Sequence, residues 1–189
     1  GSDNWNISAN TIGPVTSGTN HIGFRGIFVS NAPGIVITNN TIQNIFPGAS
    51  GASAIYLSAG INGGSVSQNT IANLSSTVAA SGTGALNGIY VGSNVINSTI
   101  NANQIYGVVN NNASGYSGRG IIINTANGAS NDMIYNNMIS GVMGTGDASA
   151  IYWPIGIAIE GTSGGINLHN NSVNLSGSLA GLTTGTASA

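Results

Sequence analysis

An asparagine-centred phrase, aliphatic-x-x-Asn-x-aliphatic, returns down the chain at Ile7 to Ile12, Ile37 to Ile42, Val66 to Ile71, Ile100 to Ile105, Ile134 to Ile139 and Leu168 to Val173. The central residues Asn10, Asn40, Asn69, Asn103, Asn137 and Asn171 recur at intervals of 29 to 34 residues. Self-similarity at this period means one supersecondary unit stacked on copies of itself, because a single unit cannot bury its own apolar face. This recurrence restricts the fold more than any other property of the chain.

A second phrase, Gly/Ala-Ile-x-aliphatic, interleaves with the first at Gly26 to Val29, Ala54 to Leu57, Gly88 to Val91, Gly120 to Ile123 and Gly156 to Ile159. Apolar runs are of strand length, and no 3.6-residue periodicity persists. One unit therefore reads as a strand at Ile89 to Val91, a turn at Gly92-Ser93-Asn94, a second strand at Ile96 to Ala102, a bend at Asn103 and a third strand at Ile105 to Val108. Three short strands and three corners per unit describe a coil of a parallel β-solenoid, and five to six coils are expected.

Stacking would pile Ile37, Val66, Ile100, Ile134 and Leu168 into one column, and Ile42, Ile71, Ile105, Ile139 and Val173 into another. The six asparagines then form a ladder at one corner, each tolerating left-handed backbone angles while its amide bonds the coils on either side.

Composition narrows the function. Only 3% of residues are charged, the formal net charge is -2, and there is neither lysine nor cysteine. With Arg25 and Arg119 as the sole fixed cations, the chain lacks the basic surface that nucleic acid requires. No apolar run approaches the ~20 residues of a membrane-spanning helix, so no membrane insertion is expected. At 41% hydrophobic residues the chain reads as folded. Gly1-Ser2 reads as a cloning remnant, and residues 3–189 as a single domain that is a fragment of a longer repetitive protein.

The segments Ile35 to Ile45 and Ile166 to Leu175 resemble the right-handed parallel β-helix repeats of the pectate-lyase-like superfamily. They are most similar to repeats in large secreted bacterial surface proteins. The resemblance implies a right-handed β-helix in an extracellular or cell-surface setting. Enzymes of that superfamily cleave acidic polysaccharides, by hydrolysis with clustered aspartates or by elimination with a basic residue and calcium. The repeat itself describes coil packing and carries no activity.

Chemistry must come from what the scaffold does not use. Long connections at 46–53, 75–87, 110–119 and 143–150 all follow the third strand and should line one edge, where Tyr116, Arg119, Tyr152 and Trp153 offer binding surface. Asp3 belongs to the extreme N-terminus, so Asp132, Asp147 and Glu160 are the catalytic candidates. They fall before a strand, in a loop and after a strand, whereas glycoside hydrolysis needs two carboxyl groups facing one bond. Arg25 and Arg119 both precede Gly-Ile and should lie three coils apart at one register position, about 14 Å at ~4.8 Å per coil. Solvated surface charges are their expected role, with a weak anion-binding stripe as the alternative.

Gly161 to Gly165 matches a nucleophile-elbow pattern but reads as a Gly/Ser turn. His21 and His169 are too far apart in coil number for zinc, so no metal site and no cofactor are expected. Ice binding needs a flat array of like side chains. After the ladder residue the series Thr11, Thr41, Thr70, Gln104, Met138, Ser172 breaks that array halfway.

The expected function is a non-catalytic structural or adhesive segment, a stalk, adhesin passenger or filament element. Glycans, or copies of itself stacked head to tail, are the expected partners. Carbohydrate binding along the loop edge is the main alternative, with a polysaccharide lyase or hydrolase and ice binding behind it.

Overall fold

The computed structural model describes residues 4–16, 21–78, 85–112, 117–126, 128–144, 153–162 and 164–175. Among them the chain is all β, without helix, wound as a parallel β-solenoid. The first sheet stacks β1 (Asn6–Ser8), β4 (Val36–Thr38), β8 (Ser65–Ser67), β12 (Thr99–Asn101), β15 (Met133–Tyr135) and β18 (Asn167–His169). The second stacks β2 (Thr11–Ile12), β5 (Thr41–Ile45), β9 (Thr70–Ser76), β13 (Gln104–Asn110), β16 (Met138–Gly144) and β19 (Ser172–Asn174). The third contains β3 (Arg25–Val29), β6 (Ser53–Leu57), β10 (Leu86–Val91), β14 (Gly118–Ile123) and β17 (Ile155–Ile159).

About four turns are completed, fewer than the five to six coils expected. Six asparagines mark rungs rather than turns, and the chain passes the third sheet only five times, enclosing four intervals.

Both predicted apolar columns form in register. Ile37 pairs with Val66, Val66 with Ile100, Ile100 with Ile134 and Ile134 with Leu168. Ile42, Ile71, Ile105, Ile139 and Val173 align in the same way. With Ile55, Ile89 and Ile121 of the third sheet they make one continuous buried core, on which Val173 packs partly buried, while Leu168 at the last rung is 41% exposed.

The second strand of the unit is not continuous. In the coil containing Gly88 it divides into β11 (Val95–Ile96), which pairs with β7 (Ile61–Asn62), and β12. Asn97, with φ of 52°, turns the chain between them. The third strand runs longer than expected, to Asn110, and contains Gly107 at φ of 70° in register with the left-handed Asn73 and Gly141. This local reversal bends the strand while the ladder resumes on both sides.

The asparagine ladder is unbroken. Each Nδ2 donates to Oδ1 of the asparagine in the following coil at 2.9–3.0 Å, from Asn10 through to Asn171. The backbone N–H of each donor residue shares that oxygen at 3.0–3.1 Å. The remaining amide proton returns to the preceding coil, reaching the carbonyls of Ile7, Ile37, Val66, Ile100 and Ile134 at 2.8–3.0 Å. Asn40, Asn69, Asn103 and Asn137 are buried, and every donor is matched to an acceptor.

The ladder residues are not themselves the left-handed ones. That conformation falls one position earlier, at Ala9, Asn39, Gln68, Ala102, Asn136 and Asn170, with φ of 54–57°. The bend and the amide stack are thus separate tasks on adjacent residues. Only the second uses asparagine at every rung; the bend is made by Asn39, Asn136 and Asn170 but equally by Ala9, Gln68 and Ala102.

A second polar column lines the corner before the first sheet. Gly64 N–H donates to Ser98 Oγ at 3.2 Å, and Ser98 N–H donates to Asp132 Oδ1 at 2.9 Å. Asp132 is fully buried, and its Oδ2 has no hydrogen-bond partner. Burial pushes its carboxyl up to about 6, against the opposing effects of the Ser98 N–H and the Ser130 side chain.

Candidate functional site

The third sheet presents the surface with the richest chemistry. Its glycines explain why. A Cβ on Gly26, Gly88 or Gly120 would come within 2.6–2.7 Å of Ile42, Ile105 or Ile139 Cγ2, so these positions face the opposing sheet across the core. The preceding residue is turned to the outer side. Arg25, Ser53, Asn87, Arg119 and Ile155 accordingly form one register column.

Beside it runs a second outer column: Phe28, Tyr56, Tyr90, Ile122 and Ala158. Phe28 and Tyr56 stack with ring centroids 5.6 Å apart, and Tyr56 and Tyr90 at 4.5 Å. Phe28 is 52% exposed whereas Tyr90 is only 6% exposed, so the stack runs from an open end to a covered one. Tyr90 accepts a 2.9 Å hydrogen bond from Asn124 Nδ2. Burial raises the Tyr90 hydroxyl above its ordinary value.

Both arginines occupy the predicted common position, but their environments differ. Arg119 is fully buried and ion-paired through Nη1 with Glu160 Oε1. It is not a solvated surface charge. The Arg25 guanidinium lies 3.9 Å from the Tyr56 ring centroid, 4.4 Å from that of Phe24 and 5.0 Å from that of Phe28. Its Nε is buried without a hydrogen-bond partner.

Of the catalytic candidates, Asp132 lies in the interior corner before β15, and Glu160 follows β17 against Arg119. Asp147 lies outside the described residues, as do Tyr116 and Tyr152. Trp153 is half-buried and, with Pro154, Ile155, Ile157, Leu168 and Val173, lines a cavity of about 730 Å³. His21 packs edge-on against Phe46, and His169 stacks on Tyr135, in different coils. Gln104 and Met138 do interrupt the Thr11–Thr41–Thr70 column in register.

Phe24, Phe28, Tyr56, Tyr90 and Asn124 were not singled out from sequence. The signal for three of them was present, since Phe28, Tyr56 and Tyr90 fill the variable position of the Gly/Ala-Ile-x-aliphatic phrase. Chemically, the strip offers aromatic edges, hydroxyls and a fixed cation, a set suited to binding. No protein-family model, curated protein or solved structure matches the chain.

Proposed function

We propose that the chain is a non-catalytic structural and adhesive segment of a secreted or cell-surface β-helix protein. The unbroken ladder carries this reading. It fixes successive coils to one another through side chains as well as sheets, which gives a rod able to hold a lateral surface at a set distance. The repeat phrases support a relationship to bacterial surface proteins and, more remotely, to the pectate-lyase-like superfamily. Because every amide-to-amide bond of the ladder runs the same way, from Nδ2 to the Oδ1 of the following coil, copies aligned head to tail would continue the same pattern. Such a contact is heterologous and open-ended.

The adhesive face is the strip on the third sheet. A second reading, carbohydrate as the ligand, is favoured by Phe28, which is both ring-stacked and half-exposed. Surfaces coated with the chain should retain glycan-bearing cells or beads, and Phe28→Ala with Tyr56→Ala should abolish retention. Retention unchanged in that double variant would remove the strip from the reading. Turnover of an acidic polysaccharide that is lost in Glu160→Gln would replace it with an enzyme.

A further inference from the structure

The two arginines provide an internal control on what this outer face takes as a ligand. They share one register column, three strands apart. For Arg119 the protein supplies a carboxylate, Glu160, from the turn that ends the next strand of the sheet. Glu160 is placed there by its N–H, which donates to Ile123 O at 2.9 Å. The counterpart one coil above Arg25 makes the same backbone bond, N–H to Val29 O at 2.8 Å, but it is Ser58. The same position therefore carries an acid opposite one arginine and a neutral hydroxyl opposite the other.

Arg25, half-buried where Arg119 is fully buried, is held by aromatic rings instead. Three rings hold the guanidinium by cation–π contact, which fixes its plane and strips water from its faces. Rings satisfy those faces but accept none of the in-plane N–H bonds, which favour a carboxylate in bidentate geometry. Arg119–Glu160 is the sole ion pair among the described residues. Phe24, 37% exposed, and Phe28, 52% exposed, flank the cation and leave apolar surface beside it.

We propose that Arg25 anchors a binding site for a carboxylate attached to an apolar or ring-bearing body. The carboxylate takes the role that Glu160 plays for Arg119, and the body packs on Phe24 and Phe28. The site rests on the outer face being open to ligand, as in the adhesive reading, and not on the ligand being a sugar.

Because the chain has two arginines and no lysine, its heteronuclear magnetic resonance spectrum holds two Nε–H signals, assignable with Arg25→Lys. Titrating the full chain with sodium benzoate should move the Arg25 signal to saturation and leave Arg119 in place. Benzamide, the same ring without charge, and sodium chloride should do neither. Ser58→Glu installs the missing internal acid; it should shift the Arg25 signal without ligand and weaken benzoate binding by at least about tenfold. Arg25→Gln, its fold checked from backbone signals, should abolish binding. A non-saturating shift, equal movement of both arginines, an equal response to benzamide, or unweakened binding in Ser58→Glu each overturns the proposal. Loss of adhesion with benzoate binding intact removes the adhesive reading alone.

Discussion

The solenoid stacks polar groups in two of its corners, and the two columns are built on opposite plans. The ladder from Asn10 to Asn171 repeats one residue, and each amide both donates to and accepts from its neighbours. The column of Gly64, Ser98 and Asp132 changes residue in every coil and ends in a carboxyl oxygen without a partner. A buried column of amides is self-complementary at any length, because a primary amide has donors and an acceptor in balance. A carboxylate only accepts, so the second column cannot be extended by repetition.

Removing a middle rung is the most severe way to break the first column. Asn103→Ala deletes the bonds to Val66 O and Asn137 Oδ1, and it strips the acceptor from both the N–H and the amide of Asn69. At about 1–3 kcal/mol for each buried group left unsatisfied, the expected loss is roughly 4–5 kcal/mol. Chemical denaturation followed by circular dichroism would measure it. A loss below about 1 kcal/mol would mean that the sheets alone hold the coils in register.

The second column should respond to pH where the first does not. The folded chain retains the Asp132 proton up to about pH 6, whereas an unfolded aspartate releases it near ~4. Protons therefore favour the fold: this contribution is complete below about pH 4, falls as pH rises towards ~6 and is level above that. The difference amounts to roughly 2–3 kcal/mol. Asp132→Ser reproduces the coil beneath, where Ser98 Oγ both accepts from Gly64 N–H and donates to Ile96 O at 3.0 Å. It should flatten that part of the pH profile and, at neutral pH, raise stability by on the order of 1 kcal/mol. A profile equally steep in Asp132→Ser would assign the pH dependence to other groups.

The same contrast explains what was legible in the sequence. The ladder was visible because one residue type performs one task in every coil, and the inward columns were visible because only aliphatics fill them. The Gly64–Ser98–Asp132 corner was not, since a glycine, a hydroxyl and an acid share a backbone position without sharing chemistry. Half of the left-handed corner positions were hidden for the same reason: Ala9, Gln68 and Ala102 adopt φ of 54–56° with nothing in their side chains to announce it, unlike Asn39, Asn136 and Asn170. Register was sufficient to align Arg25 with Arg119. The Arg119–Glu160 pair spans 41 residues, more than one repeat. It joins the start of one strand to the end of the next, so its formation depends on side-chain paths that periodicity does not encode.

The ladder's own terminal rung gives the mildest test. Asn10 is exposed, donates to Asn40 Oδ1 at 2.9 Å and to Ser8 O at 3.0 Å, and its backbone N–H reaches the same Asn40 oxygen at 3.0 Å. Asn10→Ala removes the two side-chain bonds but leaves the backbone donor, so Asn40 Oδ1 keeps a partner. The carbonyl that loses its donor is that of exposed Ser8, whereas the bond to Ile7 O belongs to Asn40 and survives. The expected cost is below ~1 kcal/mol, against several for Asn103→Ala. Similar losses at the two positions would show that each amide acts only within its own coil. A large difference would show that the ladder's strength lies in leaving no buried donor or acceptor unmatched, which the chain achieves by repeating one residue.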